Sequence, residues 1–306
     1  MEPVYEIPQI GVTPNKTVNL PGLSPSFVNP DDAARFAHEL IGGKRDAGYG
    51  GLILKDALGR FVASRPVKLA GGEFSPQQFL SSDAKGLLKH PEGYTCHAFY
   101  HSRAHQLAEV QRVPPGGSRE EVLTLVNFYL PADIHTLLGF SSFVRTHYLS
   151  GFNGSLLKAK TSPTNNSKEL FAYLSLAIED SSLLNELIDF VKQVVETLEV
   201  SVIQSTEVWR GKVGKLEPDF FFFSPGNQVV NDSVVIQRPA YGPLLDSENL
   251  ALEYIRSRSD HTTDQHYGFI LKNTSTNEFI VCEPVTGALD FAFARAFAVG
   301  SDGEPQ

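Results

Sequence analysis

Apolar and polar positions along this chain fall into two periods, one of helices and one of strands, but the first 30 residues follow neither. They carry Pro3, Pro8, Pro14, Pro21, Pro25 and Pro30 and read as an extended arm over residues 1–29. After Asn29-Pro30, Phe36, Ala37, Leu40 and Ile41 share one helical face, with Asp31 or Asp32 as cap and Gly42-Gly43 as stop. Residues 49–56 (Tyr-Gly-Gly-Leu-Ile-Leu-Lys-Asp) then read as a buried strand, Ala57-Leu58-Gly59 as a turn, and residues 60–64 as the hairpin partner, closed by Pro66.

This helix-then-hairpin order recurs near the C-terminus. Residues 49–56 match residues 266–273 (His-Tyr-Gly-Phe-Ile-Leu-Lys-Asn), with Gly51 on Gly268, and residues 60–67 match residues 278–285 after a turn one residue longer. Upstream, Leu250, Ala251, Tyr254 and Ile255 repeat the spacing of the first helix, with Asp246 or Ser247 as cap. The pattern is that of a diverged tandem duplication.

Two helical patterns separate the copies. One runs over residues 168–178, capped by Asn166 with Glu169. The other starts at Ser182, with Leu183, Leu184, Leu187, Ile188, Val191, Val194, Val195 and Leu198 on one face and Glu186, Asp189, Lys192 and Glu196 on the other, the stripe of a helix packed on a core. Residues 200–208 and the four phenylalanines at 220–223 read as strands, the latter buried on both faces.

Composition narrows the class. The 306 residues are 42% hydrophobic and 20% charged, an ordinary globular mix long enough for about two domains. No apolar run approaches the ~20 residues of a membrane span, and the N-terminus lacks the basic and apolar regions of a secretory signal. A net charge of −9 without a local Lys/Arg cluster argues against nucleic acid. With only Cys96 and Cys282, neither a disulfide framework nor a cysteine zinc finger can be written, which fits a reducing compartment. The expected location is the cytoplasm, or export without a cleaved signal peptide.

Candidate chemistry concentrates in residues 96–105 (Cys-His-Ala-Phe-Tyr-His-Ser-Arg-Ala-His) and 128–135. Were the first segment helical, His97, His101 and His105 would line one face about 6 Å apart, close enough for two of them to share zinc. In a strand, residues four apart are about 13 Å apart and cannot. Tyr94-Thr95-Cys96-His97-Ala98-Phe99-Tyr100 favours the strand. His101 and Arg103 then point the same way at the strand end, with Asp133 opening a later helix. Cys96 and His97 face opposite sides and make no thiol/imidazole dyad, and Asp133 and His135 diverge on their helix. No G-x-S-x-G, P-loop or G-x-G-x-x-G is present. Trp209-Arg210-Gly211-Lys212 reads either as partly buried structure or as a surface recognition spot.

In order, the helix before Tyr49-Gly50-Gly51, the hairpin ending at Pro66, the Tyr100-His101-Ser102-Arg103 strand end, the Leu130-Pro131-Ala132-Asp133-Ile134 helix start and the segment 148–158 resemble a bacterial domain of unknown function found at the C-termini of Rhs-type polymorphic toxins. That family looks like a distant branch of the JAB/JAMM (MPN) metallopeptidase fold. The resemblance covers residues 30–160 and, in the second copy, 246–306. It implies an α+β (mixed α/β) fold: a JAB-like copy at 30–165, an inserted helical pair and strands at 166–245, and a partial second copy at 246–306.

In JAMM enzymes two histidines of an H-x-H-P strand end and a later Asp hold zinc, a Glu on an early strand is the base, and a Ser three residues before the Asp supports the oxyanion. Carried over, His101 matches the first histidine and Asp133 the third ligand, but Arg103 stands in the second position, Leu130 where the serine would be, and Ala47 or Gly48 at the base position, with Gln265 or Asp264 in the second copy. The resemblance therefore implies a pseudoenzyme, with no metal expected, Asp133 pairing Arg103, and a protein partner held either in a binding cleft of Tyr49, Tyr100, His101, Arg103 and Asp133 or by the helical insert. The alternative is a zinc-dependent isopeptidase or peptidase using His101, Asp133 and a third ligand, His105 or His97. His101 lies 35 residues after Pro66, and the matching place after Pro284 falls beyond Gln306. The second copy is then either a shortened half that packs on the first or the front of a longer chain, with no catalytic site as it stands.

Overall fold

The structure, a computed structural model, describes residues 12–103, 127–162, 164–179, 187–221, 240–259 and 265–286. The fold is α+β, built on a mixed eight-stranded sheet. The first helix, α1 (Pro30–Ile41), starts where expected, but its cap is Asn29 rather than Asp31 or Asp32. The Asn29 Oδ1 accepts the Asp32 N–H at 3.0 Å, a cap worth about 1 kcal/mol, and Pro30 loses nothing at the first helical position. The hairpin follows as β1 (Tyr49–Asp56) and β2 (Phe61–Ala63), and β3 (Val67–Lys68) returns to pair the start of β1.

Next come β4 (Tyr94–Ser102), α2 (Pro131–Gly139), β5 (Thr146–Ser150), β6 (Leu156–Lys160), α3 (Asn165–Glu179), α4 (Leu187–Thr197), β7 (Glu199–Gln204) and β8 (Gly214–Lys215). The sheet order is β2-β1-β4-β5-β6-β7-β8. β4 and β5 are parallel, joined by the crossover containing α2, and every other neighbour is antiparallel. Helices cover both faces. Ala33, Ala34, Ala37 and Ile41 of α1 pack on Ile53, Ala98, Tyr100 and Tyr148. On the other face α2, α3 and α4 bury Ile134, Leu137, Leu170, Leu174, Val191 and Val194 against Leu149, Leu157, Val200 and Val202. Each such side chain contributes roughly 1.5–3 kcal/mol on leaving water.

Three expectations are corrected. The cap of α3 is Thr164, whose Oγ1 accepts the Ser167 N–H at 3.2 Å, in place of Asn166. The strand foreseen over 200–208 ends at Gln204, and Glu207–Trp209 turns into a short 3₁₀ helix that buries Trp209. Phe220 and Phe221 lie in another 3₁₀ turn, Pro218–Phe221, not in a strand; the remainder of that run, and residues 180–186 before α4, lie outside the described residues. The arm does more than lead in: residues 12–18 bond the loop at 77–83, and residues 23–27 line the outer edge of β2.

The C-terminal elements are β9 (Tyr241–Leu245), α5 (Glu248–Ser259), β10 (His266–Tyr267), β11 (Ile270–Lys272), β12 (Phe279–Cys282) and β13 (Val285–Thr286). Their hairpin register is that of the first unit. Ile53 faces Ala63 and Lys55 faces Phe61 in β1/β2, while Ile270 faces Val281 and Lys272 faces Phe279 in β11/β12. Tyr49 faces Lys68 just as His266 faces Thr286. Among the described residues no helix is long and apolar enough to cross a membrane.

Candidate functional site

Alternation along β4 sends Phe99, His101 and Arg103 to the α2 face of the sheet and Tyr100 and Ser102 to the α1 face. Asp133, in the first turn of α2, accepts the Leu130 N–H on Oδ2 at 2.7 Å, so the carboxylate satisfies an orphan donor and suits the helix N-terminus. That turn sets it over the end of β4. Arg103 Nη2 donates to Asp133 Oδ2 at 2.5 Å and to the Phe128 carbonyl at 3.0 Å. His101 Nε2 lies 3.2 Å from Asp133 Oδ1, outside aligned hydrogen-bond geometry. From β5, His147 brings Nε2 to 2.8 Å from His101 Nδ1, and the Phe74 ring covers both imidazoles.

The four side chains belong to residues 0–8% exposed. Burial alone would raise the Asp133 carboxyl, but the Arg103 guanidinium and His101 outweigh it and hold the group well below the usual carboxylate range. Burial, with His101 adding to it, drives His147 well below its ordinary value, so this imidazole is neutral. The Tyr129 hydroxyl, raised by burial and by Asp133, donates to the His147 carbonyl at 2.7 Å.

A zinc centre needs lone pairs converging on one point about 2 Å from each donor. Here His101 Nδ1 and His147 Nε2 point at each other, and Asp133 Oδ2 serves Arg103 and Leu130, with Oδ1 3.2 Å from His101 Nε2. A guanidinium has no lone pair to offer. The donor set does not fit zinc, and among the described residues no three His, Cys, Asp or Glu are placed to hold a metal. Of the two candidate base positions, Gly48 is crowded, a Cβ there sitting 3.0 Å from both the Gly72 carbonyl and Leu69, and Ala47 carries no group that could take a proton.

The other sequence candidates lie elsewhere. His97 packs edge-on against Phe61, with Asp31 and Lys55 near it, away from Asp133. His105 and Asp264 lie outside the described residues, and Gln265 is exposed. Tyr100 donates to the Ser64 carbonyl at 2.5 Å, while Tyr49 donates through its hydroxyl to Asp46 and through its N–H to Ser102 Oγ. Both tyrosines pack with the α1-side core, so the five-residue cleft is divided by the sheet: His101, Arg103 and Asp133 meet on one face, and the tyrosines are on the other. Cys96 is buried, which pushes its thiol up. His135 turns away from Asp133 to Ser175 Oγ, at 3.0 Å. Trp209 is fully buried, packed among Phe128 and Phe220, so its ring belongs to the core rather than to a surface recognition spot.

Sequence reasoning missed His147, which is a strand residue with no spacing relation to His101. It also missed a polar cluster on the α1 face. His38 Nδ1 lies 2.7 Å from Ser150 Oγ. Arg45 donates to Ser150 Oγ at 3.1 Å and to the Gly151 carbonyl at 2.9 Å, and Gln204 donates to the Gly154 carbonyl at 3.1 Å. Burial and the nearby Arg45 push His38 down to about 4. A neutral imidazole on a serine hydroxyl is the beginning of a nucleophile. Ser150, however, also accepts from Arg45 and is 2% exposed, and the Gly151, Asn153, Gly154 and Ser155 amides are all bonded within the neighbouring loops, so none is left to stabilise an oxyanion. The cluster ties α1 to the β5–β6 loop. No family model, no characterised protein and no solved structure matches the chain.

Proposed function

We propose that the chain is a non-catalytic binding protein on a JAB/JAMM-like core, of the toxin-associated bacterial kind that its motifs resemble, and that it works by holding a protein partner. The observation that carries this reading is Arg103: its guanidinium sits on Asp133 where a second metal-binding imidazole would be required. The base position, Ala47 or Gly48, and the apolar Leu130 before Asp133 support it, since the matching positions carry neither the base nor the oxyanion donor of the JAMM pattern. The zinc-hydrolase alternative loses His97 to the other face of the sheet. Such a protein would act in the cytoplasm, or be exported without a cleaved signal.

Zinc content decides between the two. The full chain, produced in zinc-supplemented medium and purified without a metal-affinity tag, is expected to carry no stoichiometric zinc by elemental mass spectrometry and to melt at the same temperature with and without a chelator. About one zinc per chain, lost in Asp133→Asn, would overturn the reading.

A further inference from the structure

The two strand–helix–hairpin units agree beyond their hairpins. A constant offset of 218 residues carries Leu23 to Tyr241, Pro25 to Pro243, Phe27 to Leu245, and Pro30–Ile41 to Glu248–Ser259. Residues 23–27 bridge the outer edge of β2, Leu23 opposite Ser64 and Phe27 opposite Phe61. At the same offset β9 pairs the outer edge of β12, Tyr241 opposite Cys282 and Leu245 opposite Phe279. The caps correspond too: Asn29 Oδ1 accepts the Asp32 N–H, and Ser247 Oγ accepts the Leu250 N–H.

The units also touch each other at equivalent residues. The Leu244 N–H donates to the Ser26 carbonyl at 2.8 Å, and these two positions are 218 apart. Arg60 Nη1 meets Glu278 Oε1 at 2.9 Å, again equivalent positions, each the residue just before the second hairpin strand. At the helix ends Arg258 meets Glu39 at 2.8 Å, one step from equivalence. Contact between like positions is the mark of an isologous interface, in which one patch recognises a second copy of itself about a twofold axis. Two folded segments docked through unrelated surfaces would not show it.

We propose that the face formed by residues 23–27, the C-terminal end of α1 and the β1–β2 turn is a self-recognition surface, whose occupant is a second copy of the same unit, supplied within the chain by residues 240–259 and 265–286. Charge fixes which copies pair. Joining two first units would set Arg60 against Arg60, and joining two second units Glu278 against Glu278; only first with second brings opposite charges together. Pro25 and Pro243, beside the Ser26–Leu244 contact, remove backbone donors and keep the paired edges from extending into one continuous sheet. A second unit from another chain satisfies the same contacts, so exchange between chains is the accessible route to a dimer.

The test uses the full-length protein carrying Ser26→Cys and Leu244→Cys together, oxidised and analysed on non-reducing gels and by mass. A cross-link within one chain is expected. Adding Glu278→Arg should lower its yield about tenfold, and adding Arg60→Glu to that variant should restore it. Mixing chains that carry S26C alone with chains that carry L244C alone, after mild denaturation and renaturation, should give mixed disulfide dimers. Symmetric dimers of S26C alone, absence of the internal cross-link at the native charges, or a charge exchange that fails to restore it would each overturn the proposal.

Discussion

Asp133 is an ionised carboxylate inside the protein, and its cost of burial is met by Arg103, His101 and the Leu130 amide. Removing one partner from such a pair leaves the other charge buried without compensation, a loss of about 3–5 kcal/mol, whereas replacing both by apolar groups of similar volume is often neutral or better. Asp133→Asn is therefore expected to lower the free energy of urea unfolding by several kcal/mol, because Arg103 is 8% exposed and has no other carboxylate within reach among the described residues. The double variant Arg103→Met with Asp133→Leu should recover most of that loss. If the double variant were as unstable as the single one, the cluster would be doing more than balancing charge, and the view of it as a sealed ion pair would fail.

The joint between α1 and the β5–β6 loop sets a pH limit on the fold. His38 closes that joint through Ser150, and Arg45 and Arg35 are the charged groups that face it, both disfavouring its protonated form. With its pKa near 4 in the folded protein against about 6.5 in the unfolded chain, the unfolded state takes up the proton first. Stability from this residue is thus complete above about pH 6.5 and is lost as pH falls toward 4, by about 2 kcal/mol at pH 5. Urea unfolding at pH 7 and pH 5 should show that much less acid sensitivity in His38→Gln than in the native chain; equal sensitivity would place the loss elsewhere. The elements themselves were largely readable. α1, the β1/β2 hairpin and β4 follow from local period, proline and turn chemistry. The phenylalanines near 220 deceived because Pro218 starts a 3₁₀ turn that apolar content alone does not reveal. Asp133 and Arg103 were legible as a pair from the strand end and helix start, while His147 joins them only through the parallel pairing of β4 with β5, a long-range contact without a local signature. His38 did leave a trace, since it lies four residues after Ala34 and three before Ile41 in the buried stripe of α1.

At the scale of the molecule, stability is distributed unevenly. Leu52, Ile53 and Leu54 of β1 and Ala98 and Phe99 of β4 are fully buried between helices and loops on both faces of the large sheet. The second unit has a three-stranded and a two-stranded sheet, with Pro243, Ala251, Val281 and Cys282 as its buried apolar side chains among the described residues and Leu250 and Leu252 exposed. Fewer buried contacts mean a lower free energy of local opening. Hydrogen exchange followed by mass spectrometry should therefore find amides of α5, β11 and β12 exchanging well before those of β1 and β4. Salt sharpens the comparison. The Arg60–Glu278 and Arg258–Glu39 pairs that join the units are partly exposed, and at about 1 M salt the screening length falls to about 3 Å. Exchange in the second unit should then speed up while β1 and β4 stay protected, because their hydrogen bonds rest on apolar packing that salt does not weaken. Uniform protection across both units, unmoved by salt, would mean that they unfold as one cooperative body and that the ion pairs between them contribute little to holding them together.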